Sequence, residues 1–232
     1  MISIRKSEQR GRADHGWLDA RYTFSFSGYY DPAHMHFRHL RVINEDRIAP
    51  GGGFPMHSHE DMEIITYIID GALEHKDDMG NGEVLRPGEI QRMSAGTGIT
   101  HSEFNPSQTE PTHLLQIWIL TETKGIAPSY QQRSYLDRRS PNELCPIVKK
   151  GSRHGALHVN QDMVLYSALL EKNRSIDYDV PAGRFQWVQL VRGTITANGN
   201  EMNAGDGAAV SDESLLSFVA GDDSEFLLFD LA

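Results

Sequence analysis

The chain has 232 residues, a formal net charge of −10 at pH 7, and 32 acidic side chains against 22 basic ones. An acidic surface repels a phosphate backbone, so direct binding to nucleic acid is not expected. No segment approaches the length of a membrane span, and residues 1–8 lack the apolar core of a secretion signal, so we expect a cytoplasmic protein without a membrane partner.

Short apolar runs recur along the chain between turn residues, and no long helical period is sustained. These runs are rich in Ile, Val, Leu, Tyr and Trp, which favour strands. The predicted strands cover residues 40–43, 63–69, 114–120, 164–170, 187–191 and 225–231. Gly, Pro, Asn and Asp separate them at turns. The pattern is typical of an all-β sandwich or barrel.

Two short motifs in the first half of the chain carry metal-ligand chemistry. His57-x-His59 is followed by Glu63, and His101-x-Glu103 comes after an interval rich in Gly and Pro. Because side chains alternate along a strand, each pair projects to one face. Three imidazole nitrogens and one carboxylate oxygen suit a first-row divalent ion. The spacing therefore predicts a metal site between two facing strands.

The other histidines of this half favour ordinary structural roles. His34-x-His36 imitates a ligand pair but has no carboxylate at strand spacing, so it is predicted at the surface or a pocket rim. His75 is predicted in a solvated turn, and His113 as a hydrogen-bonded residue at a sheet end. The early aromatic residues are predicted to pack in the core and loops, with the pocket mouth as the alternative: Phe24, Phe26, Tyr29, Tyr30 and Phe37.

The stretch from residue 121 to Arg153 is polar and contains three prolines. It is interpreted as a connection between domains, with a possible short helix or turn within residues 131–139. The predicted domains are residues 1–135, which carry the metal motifs, and residues 151–232, with residues 136–150 as the linker. Cys145 lies in this linker beside Pro146, and redox sensing there is the minor alternative.

The later half of the chain weakly echoes the first, with similar strand order and glycine placement. It contains no histidine after His158. Any metal site in that half would need oxygen ligands alone. We therefore expect it to serve as a scaffold or an interface.

The segment from Gly51 through His57, His59 and Glu63 to Gly71 resembles the first motif of the cupin superfamily. Its interval from Glu to Gly is one residue longer than in the usual motif. This resemblance covers the histidine pair and the turn that follows it.

The second cupin motif resembles the segment from Pro87 to Asn105, where His101 and Asn105 have the His-x-x-x-Asn spacing. Its long loop before His101 is similar to that of the pirin family. Further pirin-like segments are residues 24–26, 30–32, 40–44 and 71–77. The resemblance is close over the first 120 residues and looser beyond them.

The resemblance implies a bicupin, an all-β fold of two stacked β-sandwich or jelly-roll barrels. It places one metal ion in the first barrel on His57, His59, His101 and Glu103. Glu63, a ligand in many cupins, is usually not one in pirins, and is a candidate for supporting the ligands from behind. Glu103 is also a candidate general base.

The resemblance implies quercetin 2,3-dioxygenase activity, in which a flavonol is opened by O₂ with release of carbon monoxide. The expected substrates are thus a polyphenol and O₂. The expected cofactor is Fe(II), with Cu, Ni, Co, Mn or Zn as alternatives. A metal-dependent redox-sensing or protein-binding protein without physiological turnover, as animal pirins are described, is the alternative function. Isomerisation or decarboxylation of a small acid would need a cation in the pocket, with Arg41 and Arg92 as candidates.

Overall fold

The computed structural model describes residues 1–152 and 155–232, and these residues are almost entirely in strands and turns, which confirms the all-β class. Arg153, the end of the predicted polar connection, and His154 lie outside the described residues. Within the described ranges, no helix has the length and apolar character needed to cross a membrane.

The strands are β1 (Ile2–Arg5), β2 (Gly11–Asp14), β3 (Leu18–Tyr22), β4 (Leu40–Ile48), β5 (Gly53–His59), β6 (Met62–Asp70), β7 (Leu73–Asp77), β8 (Gly82–Leu85), β9 (Glu89–Ser94), β10 (Ile99–Phe104), β11 (Thr112–Leu120), β12 (Ser129–Ser134), β13 (Leu144–Lys149), β14 (Leu157–His158), β15 (Met163–Leu170), β16 (Ser175–Asp179), β17 (Phe185–Arg192), β18 (Thr194–Ala197), β19 (Asn200–Asn203), β20 (Gly207–Val210), β21 (Leu215–Ala220) and β22 (Ser224–Leu231). Two single-turn 3₁₀ helices cover Ser7–Gln9 and Leu136–Arg138. All six predicted strand segments lie within observed strands.

The chain forms two compact units. The leading unit contains Gly11–Leu136 and Leu157–Gln161, and the trailing unit contains Met1–Arg10, Asp137–Ala156 and Asp162–Ala232. Because β1 pairs with β20, the first strand of the chain belongs to the trailing unit. The functional boundaries drawn from the sequence at residues 135 and 150 stay a prediction.

The leading unit is a sandwich of two antiparallel sheets. The larger sheet has the order β12-β9-β6-β11-β4-β3-β2, and the smaller one has the order β5-β10-β7-β8. Period-2 alternation turns one face of each sheet toward the other. The apolar part of this interior contains Leu18, Ile48, Ile68, Leu73, Leu85 and Leu114, drawn from both sheets. The interior of this sandwich is where the predicted metal ligands lie.

The trailing unit repeats the two-sheet architecture. One sheet contains the order β1-β20-β17-β22-β15-β13, and the other has the order β16-β21-β18-β19. Its interior is apolar and includes the aromatic pair Phe218 and Phe226, whose ring centroids are 4.7 Å apart. Two similar β-sandwich units confirm the bicupin fold class.

The polar stretch after residue 121 contains more regular structure than the sequence indicates. A short helix is found at Leu136–Arg138, inside the predicted range, but β12 and β13 were not predicted. Cys145 is buried in β13, and this burial raises the pKa of its thiol. Since the thiolate is the reactive form, a raised pKa makes this cysteine a poor redox sensor.

The close pairing of β5 with β10 predicts that Gly53 cannot gain a side chain without a loss of stability. A Cβ at this position would overlap the Glu103 carbonyl oxygen and the ring of Phe104. We expect Gly53→Ala to lower the free energy of unfolding by about 1–3 kcal/mol, measured by urea denaturation, because the strands must separate. Gly82→Ala is the matched control, since its Cβ would meet only Lys76 at 3.8 Å. Equal midpoints for the two variants would contradict this account.

Candidate metal centre

Strands β5 and β10 bring three histidines together inside the leading unit. His57 lies directly opposite His101 in the antiparallel register, and His59 lies two residues along on the same face. The ring centroid of His101 is 4.4 Å from that of His57 and 5.0 Å from that of His59. One nitrogen from each ring falls within 4.8 Å of the others. Three donors at this spacing can close on a single cation.

A β-bulge shapes this part of the sheet. His101 pairs with His57, but Glu103 pairs with Phe54, so β5 carries one residue more than β10 over the same span. Pro55 lies in that extra length, where a missing backbone N–H is tolerated. The bulge also turns the Pro55 carbonyl toward His57 Nδ1, at 2.8 Å. This hydrogen bond places the proton of His57 on Nδ1 and leaves Nε2 free for a ligand.

The hydrogen bonds of His101 leave one of its ring nitrogens available for a metal. Its Nδ1 faces His75 Nδ1 at 3.3 Å, whereas its Nε2 is buried without any partner. Buried polar atoms nearly always have a partner. A cation held between the Nε2 atoms of His57 and His101 and a nitrogen of His59 would supply the missing one.

Burial keeps His59 and His101 in the form that binds metals. It lowers the pKa of His59 to about 4, with a further contribution from His57. It lowers the pKa of His101 to about 2, with contributions from the neighbouring histidines. Neutral imidazole is the ligand form of histidine. Near pH 7 the rings of His59 and His101 need lose no proton to accept a cation.

Glu103 is buried in the interior of the leading unit. Its carboxylate accepts hydrogen bonds from Gln116 Nε2 at 2.9 and 3.2 Å, and from Thr66 Oγ1 at 3.5 Å. Burial raises its pKa to about 7, against the lowering effect of these donors. Its ligand atom forms a 4.8 Å group with His75 and His101, while His57 and His59 form their group with His101. His101 is thus common to both sets.

His75 is not in a solvated turn, so the prediction for this residue was wrong. It is fully buried on β7, beside β10, and its Nε2 lies 3.2 Å from Asp77. Its ring stacks on Tyr130 at 4.6 Å. Burial lowers its pKa, partly offset by Asp77. The signal was the strand period itself, because His75 shares a face with buried Leu73.

A row of polar side chains on the larger sheet faces these histidines, and sequence reasoning missed it. Asn44 pairs with Gln116, Gln116 with Thr66, and Thr66 with Gln91, so the four residues cross β4, β11, β6 and β9 in line. Gln91 Nε2 lies 3.3 Å from His75 Nδ1. Thr66 and Gln116 each interrupt an apolar strand at a buried position, which is the signal available in the sequence for these two.

A cavity of about 460 Å³ opens beside the ligand cluster. Its lining comprises Leu18, Tyr22, Phe26, Ser27, Asn44, Asp46, Phe54, His57, His59, Glu103, Gln116 and Trp118. Phe26 therefore takes the pocket position that was the alternative for the early aromatics. Burial, with Glu103 and Glu45 nearby, raises the pKa of Asp46 to about 8. Apolar walls with a few convergent polar groups are typical of small-molecule sites.

Glu63 lies on the opposite face of β6 from Thr66, because strand side chains alternate. It is buried, and its Oε1 accepts hydrogen bonds from Ser94 Oγ at 2.6 Å and Asn160 Nδ2 at 2.9 Å. These partners are not the predicted ligands. A supporting role for Glu63 behind the ligands stays a prediction.

The two candidate cations are engaged elsewhere. Arg41 donates to the main-chain carbonyls of Ser25 and Met35. Arg92 donates to Ser129. No lysine or arginine is among the residues that line the described cavity. The arrangement gives no support to isomerisation or decarboxylation of a small acid.

The remaining predicted histidines have local partners. His34 Nδ1 lies 2.8 Å from Asp31, and exposed His36 lies on a nearby loop. His113 Nε2 lies 2.8 Å from Glu45 at the start of β11, which confirms the sheet-end role. None of these rings belongs to a ligand group among the described residues.

Comparison with protein families finds two matches that together cover most of the chain. The family described as Pirin matches residues 3–119, and the family described as Quercetinase C-terminal cupin domain matches residues 147–231. The first match contains all four predicted ligands. The second falls on the trailing unit, where the sequence echo was weak.

Known proteins similar to this chain span its full length. A protein named quercetin 2,3-dioxygenase from Escherichia coli is 50% identical over 231 residues, covering 100% of this chain and 99% of the relative. The crystal structure of YhhW from Escherichia coli is similar with a TM-score of 0.96, 49% identity, and coverage of 100% and 98%. A second structure, of the bacterial pirin YhhW in complex with nickel(II), gives a TM-score of 0.94 with coverage of 100% and 99%.

Measurement of bound metal distinguishes the cluster around His101 from the pair His34-x-His36, which has the same spacing as a ligand pair. We expect His101→Ala to weaken metal binding by more than about tenfold, because the ligand common to both groups is lost. His36→Ala should keep stoichiometric metal, since this exposed ring lies outside the cluster. Elemental analysis after reconstitution and dialysis measures both. Stoichiometric metal in His101→Ala would contradict the site.

Gln116 provides a test of how Glu103 is held. Without its amide donors, the Glu103 carboxylate loses orientation, so Gln116→Leu should weaken metal binding by about 10–100-fold. The control is Gln189→Leu, which alters a buried strand glutamine of the trailing unit whose amide donates to the carbonyls of Gly205 and Asp206. Competition with a chelator measures affinity for both variants. Unchanged affinity in Gln116→Leu would show that Glu103 needs no such support.

Proposed function

Because this chain belongs to the pirin family of cupin proteins, we propose that it is a metal-dependent dioxygenase that opens a flavonol with O₂ and releases carbon monoxide. The observation that carries the proposal is the set of three close imidazoles beside an aromatic-walled cavity of about 460 Å³. A cavity of this size suits a small aromatic molecule. The name of the Escherichia coli relative supports the same chemistry.

We assign His57, His59, His101 and Glu103 as the residues that hold the metal. The unpartnered Nε2 of His101 and the tautomer of His57 support this assignment. The proposed ion is Fe(II), and the nickel complex of the similar bacterial pirin supports a divalent transition metal. When bound, such an ion supplies Lewis acidity toward a substrate oxygen and the redox activity that O₂ chemistry requires.

The cavity walls bind and orient the ring system of the flavonol. Phe26 and Trp118 form an edge-to-face pair at 5.3 Å, and Trp118 forms another with His59 at 4.9 Å. Aromatic surfaces in such a pocket favour a flat, apolar ring over water. The substrate is thereby held next to the ligand histidines, which replaces a chance encounter with an oriented one.

Glu103 takes the proton from the hydroxyl group of the bound flavonol. Its carboxylate borders the cavity, and its oxygens face Gln116 and Thr66. Those donors fix the direction in which the oxygens point. A base must lie within hydrogen-bond reach of the proton it removes, and this geometry supports Glu103 in that role.

Gas analysis tests the proposed reaction. Metal-loaded protein given quercetin should consume O₂ and produce carbon monoxide in equal amounts, because one carbon of the ring leaves as CO. His57→Ala should lower kcat/KM by about 100-fold or more, since its metal ligand is lost. His36→Ala serves as the control and should keep full turnover. An oxygen electrode and a carbon monoxide detector make the measurement, with protein-free quercetin to subtract autoxidation.

The result that would overturn the proposal is metal-loaded protein that consumes no O₂ with quercetin and releases no carbon monoxide. Retention of full turnover in a demonstrably metal-free His57→Ala protein would equally exclude the assigned centre.

A further inference from the structure

Three buried polar atoms on the cavity wall have no hydrogen-bond partner. They are Asn44 Oδ1, Asp46 Oδ1 and Trp118 Nε1. Asn44 is 3% exposed and Asp46 is 4% exposed. Such atoms lose their hydration on folding and recover nothing from the protein. The three residues line one cavity, where a polar ligand would supply the missing partners.

The three atoms come from adjacent strands of the larger sheet. Asn44 and Asp46 are two residues apart on β4 and face the same side, as the strand period requires. Trp118 lies on β11, two residues from Gln116, which pairs with Asn44. The rings of Trp118 and His59 are in contact, so this group lies beside the ligand histidines. It remains separate from them because none of its members belongs to a ligand group.

The chemistry of the group matches hydroxyl groups on an aromatic ring. The Asn44 amide and the Asp46 carboxyl offer oxygens that accept from a phenolic O–H, and the Trp118 indole N–H donates to a phenolic oxygen. A phenol hydroxyl is both a donor and an acceptor, so hydroxyls at different positions of one polyphenol can use the three atoms. The side chains of Tyr22, Phe26 and Phe54 provide the apolar surface for the ring itself.

We propose that Asn44, Asp46 and Trp118 form a subsite that binds the ring hydroxyls of a polyphenol and selects hydroxylated flavonols over unsubstituted ones. The choice of a flavonol as the ligand rests on the proposed function. Selectivity follows because a ligand without these hydroxyls leaves all three atoms unpartnered. Sites built to hydrogen-bond a hydroxyl discriminate strongly against the analogue that lacks it.

Equilibrium binding under argon tests the subsite without turnover. The probes are quercetin and 3-hydroxyflavone, which lacks the other ring hydroxyls, and the readout is fluorescence quenching of the metal-loaded protein. Asp46→Leu should reduce the quercetin-to-3-hydroxyflavone affinity ratio by about tenfold. The affinity for 3-hydroxyflavone itself should stay within about threefold, because the metal ligands and aromatic walls are intact.

Glu45→Leu is the matched control. It makes the same chemical change one residue earlier, where the side chain faces the other way and contacts His113. Its affinity ratio should equal that of the natural protein. Asp46→Leu should also keep or raise the urea midpoint, since it removes a buried oxygen without a partner. If the Asp46 carboxyl were needed only for folding, Asp46→Leu would lower the urea midpoint instead.

The outcomes for the subsite and for the proposed reaction are separable. An unchanged affinity ratio in Asp46→Leu overturns the subsite even when carbon monoxide is released. A reduced quercetin-to-3-hydroxyflavone affinity ratio in Asp46→Leu, with an unchanged ratio in Glu45→Leu, supports the subsite even when no carbon monoxide is found. Failure of the natural protein to bind quercetin more tightly than 3-hydroxyflavone also overturns it.

Discussion

The antiparallel register of β5 against β10 is the constraint on which the site depends. It sets His57 directly opposite His101, and the bulge after that pair shifts Phe54, rather than Pro55, opposite Glu103. A slip of one residue would turn both histidines of β5 to the other face of the sheet. The same bulge provides the Pro55 carbonyl that selects the tautomer of His57. Strand pairing, and not any local motif, therefore brings the three histidines together.

The interior of the leading unit contains polar side chains at positions where apolar side chains would pack in an ordinary core. Four polar residues in line across the larger sheet face His75, His101 and Glu103, whereas the corresponding interior of the trailing unit is built from apolar side chains. Hydrogen bonds to a charged group such as Glu103 contribute about 1.5–3 kcal/mol each, which offsets part of the cost of its burial. Four of the buried polar atoms without a hydrogen-bond partner belong to His101 and to the cavity-lining residues Asn44, Asp46 and Trp118. Functional sites are where such costs are tolerated.

Sequence reasoning was most informative where residue types recur at a fixed spacing, and the metal role that it assigned to them stays a prediction. The pairs His57-x-His59 and His101-x-Glu103 follow the strand period, and all four residues lie in or beside the cavity or its ligand groups. It failed for His75, because the charged neighbours Glu74 and Lys76 suggest a solvated turn although they simply occupy the outer face of β7. Gln116 was missed for a related reason. A single glutamine inside an apolar strand carries no sign of which buried carboxylate it meets.

The sequence by itself determined the β class, the positions of six strands, the two histidine motifs and the family, since alternation and spacing act over a few residues. Only the tertiary structure decided which side chains surround those motifs. Gln116 and Glu103 are 13 residues apart, and Thr66 and Glu103 are 37 apart, yet each pair is hydrogen-bonded. Asn44, Asp46 and Trp118 share one cavity for the same reason. Contacts between distant strands depend on sheet order and register, which are properties of the whole packed unit and not of any short segment.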